Sequence, residues 1–382
     1  MLYLDNIITA ATVFPFVAIA LTIPVLIYHY RRFGALTFWR SLVIYSFIFY
    51  LLAAYCLIIL PLPPKSVVAH LTTPRYNLVP FTFVREFINT THWVWNQPAT
   101  YLATLKQAAT IQPLFNIVLT IPFGVYLRYF FRTSFKQTLL LSFGLTLFFE
   151  LTQLSGLYGI YPRPYRLFDV DDLLLNTSGG LIGFGLAPLL TYFLPTRDAL
   201  DQAAYINGQK VGYLRRLLAL GIDYCLLTLI GIIVTAIWRL LKLPTFGNDV
   251  FYYCLENGLY FVLLPVLWRG QTPGKALLRL KITAENAIAW RIFSRQFLLF
   301  FIILPSFQLW RITIDALVAS GQTHLDIYLL LGGLAALPPV LFTGNFLLSW
   351  LFKKPQLFYE KLTKTQEMSL VQPQGEHPLK NN

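Results

Sequence analysis

Long uncharged segments constrain this chain more than any other feature. A helix needs about 20 residues to cross the roughly 30 Å hydrocarbon core of a bilayer. Seven apolar segments meet that length, approximately 6–28, 41–64, 107–127, 137–154, 173–196, 214–238 and 327–352. Two more are marginal, because 250–268 contains Glu256 and 296–310 is short. The sequence predicts an all-α, polytopic transmembrane helical bundle with about nine spans.

Charge and composition exclude several other classes of protein. Only 12% of the residues are charged, against about 25% in an average soluble domain, so an ordinary soluble enzyme is excluded. The net charge is +13, but the basic residues form short clusters between long uncharged runs. A nucleic-acid-binding surface requires them on one patch or arm. We therefore expect no nucleic-acid partner.

The basic clusters also predict how the chain crosses the membrane. Lysine and arginine are retained on the cytoplasmic side during insertion. If the N-terminus lies outside, most of the 30 lysines and arginines fall in inner loops and in the tail. The sequence therefore predicts an outer N-terminus and a cytoplasmic C-terminus. We expect the cytoplasmic loops to contact the anionic head groups of the lipid bilayer.

A polar stretch near residues 201–212 divides the spans into two groups. We predict a five-span membrane domain over 1–196, a cytoplasmic linker over 197–212 and a second membrane domain of three to four spans over 213–365. Residues 366–382 are rich in polar residues and proline, which predicts a disordered cytoplasmic tail.

Polar and small residues recur on one face of three spans in the first domain. Span by span they are Asn116, Thr120 and Gly124; Thr146, Glu150 and Gln153; and Asp169, Asp172, Asn176, Gly180 and Gly183. Steps of three and four residues place side chains on one side of a helix. Ionisable groups at membrane depth usually face the bundle interior or a wet cavity. Because all three faces lie toward the outer surface, we predict one shared outer pocket.

Outer loops complete the predicted pocket. Arg163, Arg166 or Arg85 could neutralise Glu150 and Asp172, since a charge at low dielectric needs a partner or a proton. The predicted pocket residues are Asn77, Arg85, Asn116, Glu150, Gln153, Arg163, Arg166, Asp169, Asp172 and Asn176. The alternative interpretation is that these groups only satisfy one another and stabilise helix packing.

The second domain carries its own set of polar residues. Arg216 and Asp223 are two helical turns apart and thus share a face. Asp223 lies deep in a span, so we expect it to be protonated or paired with a cation. The segment 270–282 predicts a turn that leads into a short basic amphipathic stretch whose leucines enter the membrane interface. The motif residues are Arg215, Arg216, Asp223, Gly270, Gln271, Pro273, Gly274, Lys275 and Arg295.

Several motifs of the first half occur in a family-like order. They are Asn77-Leu78-Val79-Pro80-Phe81, Asn116 followed by Pro122-Phe123-Gly124, Glu150-x-x-Gln153, and Arg166-x-x-Asp169-x-x-Asp172-x-x-x-Asn176-Thr177-x-Gly179-Gly180-x-x-Gly183. Together they resemble the VanZ-like family over about residues 40–195. The resemblance implies a multi-pass protein of the bacterial cytoplasmic membrane, associated with resistance to teicoplanin-type glycopeptide antibiotics. It implies no reaction.

The second half resembles a different family. Arginine and aspartate in its first span, the turn 270–275, Arg295 and the closing segment 354–365 are similar to the RDD family over about residues 210–365. Some members of that family are linked to ion transport.

Three functional interpretations follow from these features. The first is a cell-envelope protein whose outer pocket binds a cell-wall peptide, a lipid-linked precursor or a glycopeptide without turnover. The second is an ion or solute transporter that uses intramembrane carboxylates. The third is a membrane-embedded hydrolase or transferase. We predict no catalytic residues, no cofactor and no metal site, because Cys56, Cys225 and Cys254 lie in apolar runs without metal-ligand spacing.

Overall fold

The computed structural model describes residues 2–91, 93–242, 248–319 and 325–371, and these residues are mostly helical. Eight of their helices are long and apolar enough to cross a membrane. The prediction of an all-α, polytopic helical bundle is therefore confirmed.

The chain divides into two compact units that do not follow a single cut in the sequence. The first unit comprises Met1–Thr22 and Phe38–Leu200, and the second comprises Ile23–Thr37 and Asp201–Asn382. The boundary in the first long helix falls within an unbroken apolar run, which offers no compositional signal.

Among the described residues, unit 1 holds nine helices and two short strands. Its elements are, in chain order, α1 (Leu2–Phe33, to Thr22 in this unit), α2 (Phe38–Ile59), α3 (Lys65–Ala69), β1 (Tyr76–Asn77), α4 (Thr82–Thr90), α5 (Ala99–Leu105), α6 (Ala108–Tyr129), α7 (Phe135–Leu154), α8 (Gly156–Gly159), β2 (Phe168–Asp169) and α9 (Val170–Leu190). Strands β1 and β2 pair in parallel.

Helices α6 and α9 form the centre of unit 1 and run in parallel. The facing pairs are Asn116 with Asp172, Thr120 with Asn176, and Gly124 with Gly180. Each step of four residues on one helix matches a step of four on the other, so the two predicted faces meet. A Cβ atom on Gly124 would overlap the backbone of Gly180. Glycine therefore permits the close approach, as small residues commonly do between membrane helices.

Helix α7 has the length of a span, with 20 residues, but it is not among the eight apolar helices. Its polar residues lower its hydropathy, and they are buried inside the unit. The buried polar positions are Thr138, Ser142, Thr146, Glu150, Thr152 and Gln153. The helix begins at a capping box in which Ser134 and Gln137 each satisfy a backbone N–H of the other.

Unit 2 contains the remaining elements. They are, in chain order, α10 (Arg197–Gln209, from Asp201 in this unit), α11 (Tyr213–Leu240), α12 (Asp249–Asn257), α13 (Leu264–Leu267), α14 (Pro273–Leu277), β3 (Leu280–Ala284), α15 (Ile288–Phe297), α16 (Leu304–Ala319), α17 (Leu325–Leu351), α18 (Phe358–Leu362) and β4 (Thr365–Ser369). The linker predicted over 197–212 is thus largely helical.

Two π-helical turns, Gly258–Leu263 and Leu298–Ile303, join α12 to α13 and α15 to α16. Side chains from the facing helix satisfy the altered backbone, since Gln296 donates to the carbonyl of Phe261 at 2.7 Å and Tyr253 donates to that of Phe300 at 2.8 Å. The apolar segment predicted as a short span over 296–310 is therefore part of a continuous helix of 32 residues. The first turns of this helix are polar, so the apolar segment in the sequence is shorter than the helix itself.

Strands β3 and β4 pair antiparallel, with Leu280 opposite Ser369. The tail predicted as disordered over 366–382 therefore begins with ordered residues, and 372–382 lie outside the described residues. The predicted interfacial stretch is also wrong in part, because Leu278, Leu280 and Ile282 are fully buried. These side chains stabilise the core of unit 2 and do not enter the membrane interface.

Two glycines of α9 test the close packing of unit 1. A Cβ on Gly183 would overlap the backbone of Ile121, whereas a Cβ on Gly185 meets no atom within 4 Å. We expect Gly183→Ala to lower the free energy of unfolding by about 1–3 kcal/mol, as overpacking does. Gly185→Ala should raise it by up to about 1 kcal/mol, because alanine favours helix. Denaturant unfolding of the purified protein measures both, and equal effects would contradict the packing.

Candidate functional site

A polar cavity of about 650 Å³ lies in unit 1, at the N-terminal ends of α6 and α9 and the C-terminal end of α7. The predicted pocket residues that line it are Asn116, Glu150, Gln153, Arg166, Asp169, Asp172 and Asn176. Sequence reasoning missed Asn6 and Lys106, which line it as well. Both come from segments without helical periodicity in polar residues, so no pattern marked them.

The three carboxylates of the cavity each accept a hydrogen bond from a neighbouring element. Glu150 Oε2 accepts from the backbone N–H of Asp169 at 3.0 Å. Asp172 Oδ1 accepts from Asn116 Nδ2 at 2.5 Å. Asp169 Oδ1 accepts from Asp171 N at 2.9 Å and so caps the first turn of α9. These hydrogen bonds fix all three carboxylates in place at the ends of α6, α7 and α9.

Two of the candidate arginines have different positions. Arg166 lines the cavity together with the carboxylates, and its guanidinium donates to the carbonyl of Leu60 at 3.0 Å. Arg163 instead donates to the backbone carbonyls of Leu71 and Thr73. Arg166 is therefore the arginine that shares the cavity with the carboxylates, and Arg163 binds the segment 71–73.

Two other predicted residues lie beside the cavity rather than in its wall. Asn77 donates to Asp169 Oδ1 at 3.2 Å and to Thr82 Oγ1 at 3.0 Å, so it connects the segment before α4 to the start of α9. Arg85 lies on α4, is exposed, and is not among the described residues that line the cavity.

Asp171 is a buried carboxylate that the sequence analysis overlooked. Its Oδ1 accepts from Phe81 N at 2.6 Å, and its Oδ2 accepts from Phe83 N at 3.0 Å and from the hydroxyl of Thr82. It thus binds the first turn of α4 and holds the segment 81–83 to the start of α9. The spacing of the aspartates within 169–172 does not show which carboxylate turns toward α4.

Amide groups give the cavity both donors and acceptors. Gln153 Nε2 donates to the carbonyl of Ile58 at 3.3 Å. Asn176 is buried, and its side-chain oxygen has no hydrogen-bond partner among the described residues. With Arg166 and Lys106 near three carboxylates, the cavity suits a polar group that carries charges of both signs. Among the described residues, no group of three or more His, Cys, Asp and Glu side chains is arranged to hold a metal ion.

In unit 2, Asp223 closes the turn predicted over 270–275. It is 1% exposed and accepts hydrogen bonds from Thr272 Oγ1 at 2.5 Å, Gly274 N at 2.7 Å and the Tyr260 hydroxyl at 3.0 Å. Thr272 in turn caps α14, which has Pro273 in its first turn. Three donors therefore stabilise a carboxylate for which we had expected a proton or a cation.

The turn itself is held to β3. Gly270 has a φ of +92°, and a Cβ there would overlap the carbonyl of Ile282, so glycine is required. Gln271 Nε2 donates to the carbonyl of Leu280 at 3.4 Å. These two motif residues have a structural role.

The arginines of the second motif have separate partners. Arg215 is 1% exposed and donates to backbone carbonyls, including those of Leu278 at 2.6 Å and Gly208 at 3.1 Å. Arg216 pairs with Glu360 at 3.1 Å. It does not pair with Asp223, although Arg216 and Asp223 line the same cavity. Adjacent arginines therefore stabilise different parts of unit 2.

A buried cluster of five charges, which we call the ion cluster, joins α11, α14, α15, α18 and β4. Its members are Arg216, Lys275, Arg295, Glu360 and Glu367. Arg295 contacts Glu360 at 2.5 Å and Glu367 at 3.0 Å, and Lys275 contacts Glu367 at 2.7 Å. Burial by itself raises the pKa of Glu367, but the three cations outweigh it and hold that pKa well below its usual range.

These features define a multi-pass membrane protein with a polar cavity among its helices. Residues 47–191 match the family model described as VanZ/LLP1. The match covers α6, α7, β2 and α9 and hence most of the cavity. No curated protein and no solved structure matches the chain. The protein is thus a membrane protein with a VanZ-like region in unit 1.

The contacts of Asp171 predict local opening of α4. Asp171→Asn replaces one acceptor oxygen with a donor, so a hydrogen bond from the first turn of α4 is lost. Hydrogen bonds to charged groups contribute about 1.5–3 kcal/mol, so we expect amide exchange over 82–90 to accelerate roughly ten- to a hundredfold. Asp198→Asn, at a side chain that is 83% exposed, is the control. Unchanged exchange in Asp171→Asn would contradict this role.

The ion cluster predicts acid sensitivity. The folded pKa of Glu367 lies below the unfolded value, so its stabilisation is present at neutral pH and is lost as pH falls below about 4.5, toward the folded pKa. Glu367→Gln should therefore lower the unfolding temperature at pH 7 and flatten its decline between pH 6 and pH 3. Exposed Glu285 provides the control Glu285→Gln, which should keep the slope of the unmodified protein. A Glu367→Gln slope as steep as that control would refute the assignment.

Proposed function

We propose that the protein belongs to the cell envelope of a bacterium, in the cytoplasmic membrane, and that its unit 1 cavity binds a charged peptide-like group without turnover. The ligand class comprises cell-wall peptides, lipid-linked precursors and glycopeptides of the teicoplanin type. Such molecules carry ammonium and carboxylate groups together. The cavity matches them with three carboxylates, two cations and amides in about 650 Å³, a size within the usual range for ligand pockets.

The distribution of charge along α6 supports an outward-facing cavity. Asn116 lies at the cavity, whereas Arg128 and Arg132 lie at and beyond the opposite end of the helix. Basic residues mark the cytoplasmic side. The cavity then faces the periplasmic or extracellular surface, where cell-wall peptides and glycopeptides are found.

Binding is favoured over hydrolysis by the chemistry of the wall. Among the described residues that line the cavity there is no serine, cysteine or histidine, the usual nucleophiles and bases of acyl transfer. The acidic side chains are also tied to backbone or amide donors. A role in shielding or presenting the ligand therefore fits better than covalent turnover.

The transporter interpretation has less support in unit 2. Asp223, the carboxylate on which a transporter in unit 2 would depend, has both of its oxygens occupied by hydrogen-bond donors. This arrangement is typical of a structural cap. The similarity of residues 210–365 to the RDD family stays a prediction, and so does any ion transport implied by it.

Antibiotic protection by a charge-neutral variant tests the proposal. In a teicoplanin-susceptible bacterium, expression of the chain should raise the inhibitory concentration, and Glu150→Gln should remove at least three quarters of that increase. Glutamine keeps the acceptor for Asp169 N but loses the charge that would bind an ammonium group.

The control is Glu285→Gln, which should protect as well as the unmodified chain at equal membrane abundance. The proposal is wrong if Glu150→Gln protects fully, or if the unmodified chain gives no protection and the purified protein binds neither teicoplanin nor a cell-wall pentapeptide.

A further inference from the structure

A second cavity, of about 330 Å³, lies wholly within unit 2 and has a different character. Most of its wall is apolar, and helices α11, α16 and α17 supply Leu220, Leu304, Phe342 and Phe346. The two π-helical turns supply Phe261 and Phe300, whose rings stack at 4.1 Å. Stacked rings and facing helices form a firm apolar surface on which a hydrocarbon chain is favoured over water.

One side of this cavity is charged. Arg216, Lys275 and Arg295 line it, and two carboxylates of the ion cluster face these three cations. Glu360 and Glu367 are 0% and 3% exposed. Asp223 also lines this cavity and accepts from Thr272, Gly274 and Tyr260, so three carboxylates accompany the three cations. A buried cation is still costly where one of its donors lacks a partner.

Arg295 shows where that partner is missing. Its side chain is 2% exposed, and Nη2 makes both of its contacts with carboxylates. Nη1 and Nε have no hydrogen-bond acceptor among the described residues. A buried donor without an acceptor costs about 1–3 kcal/mol, and more when it is charged. These two donors point to an acceptor that the described chain does not itself supply.

We infer that the unit 2 cavity binds an anionic amphiphile, with its carboxylate or phosphate head on Arg295 and Lys275 and its acyl chain along the apolar wall. A small inorganic anion would leave the apolar surface uncovered. A neutral lipid would offer the charged donors of Arg295 only a weaker, uncharged acceptor. Only a molecule with both parts fits both surfaces.

Binding to the full-length protein in phosphatidylcholine nanodiscs tests this inference. The probes are oleate and phosphatidylglycerol, which offer the two sources of an anionic head, with methyl oleate as the neutral counterpart. Native mass spectrometry and displacement of a dansylated fatty acid measure binding. We expect oleate or phosphatidylglycerol to bind at least tenfold more tightly than methyl oleate.

Two variants locate the site. Leu220→Trp fills the cavity and should weaken binding at least tenfold, whereas Leu229→Trp, at an exposed position of the same helix (54% exposed), should leave it within twofold. Arg295→Lys keeps a positive charge beside Glu360 but removes Nη1 and Nε. It should therefore weaken binding of the anionic probe and leave the weak binding of methyl oleate unchanged, even if Leu220→Trp fails to fold.

Each outcome decides the matter. Preference for oleate identifies a fatty acid, preference for phosphatidylglycerol identifies a membrane lipid, and equal binding identifies the shared anionic head. The inference is overturned if methyl oleate binds as tightly as the anionic probes, if chloride or phosphate alone displaces the probe completely, or if Leu220→Trp and Leu229→Trp behave alike. It does not depend on the proposed function, because none of these measurements involves the unit 1 cavity.

Discussion

The close parallel contact of α6 and α9 is the constraint on which the polar cavity depends. Two parallel spans need an antiparallel helix between them in the chain, and α7 provides it. Because Gly124 and Gly180 allow the backbones to meet, Asn116 reaches Asp172 across the interface. Side chains of ordinary size at these glycines would separate the helices and leave buried polar groups without partners, at a cost of several kcal/mol in hydrocarbon.

Unit 2 stabilises its buried charges in another way. Its charged residues bind backbone groups of short connecting elements, as when Arg215 donates to the carbonyl of Leu278 and Asp223 accepts from Gly274 N. These contacts fix a helix–turn–strand segment whose Leu278, Leu280 and Ile282 are fully buried. Breaking one of them would leave a buried ion unpaired, which costs more than the contact itself contributes. The segment is therefore ordered by its charges as well as by its hydrophobicity.

Periodicity predicted the parts of the fold and site that lie on single long helices. The shared position of Asn116, Glu150 and Asp172 followed from steps of three and four residues, and the structure brings these residues to one cavity. The partner of Asp171, the choice among the candidate arginines and the pairing of β3 with β4 depend on contacts between distant segments. No local pattern encodes such contacts, so the sequence alone left them open or gave the wrong expectation.

The two cavities differ most in the groups that the protein leaves unsatisfied. In unit 1 the carboxylates are partnered, and the side-chain oxygen of buried Asn176 is an acceptor without a donor. In unit 2 the unmatched atoms at the cavity include the donors Nη1 and Nε of Arg295. An unmatched acceptor among mixed charges favours a ligand that donates, such as an amide or ammonium group. Unmatched cationic donors beside an apolar wall favour a ligand that accepts and is itself partly apolar, so the two proposed ligands have opposite hydrogen-bonding requirements.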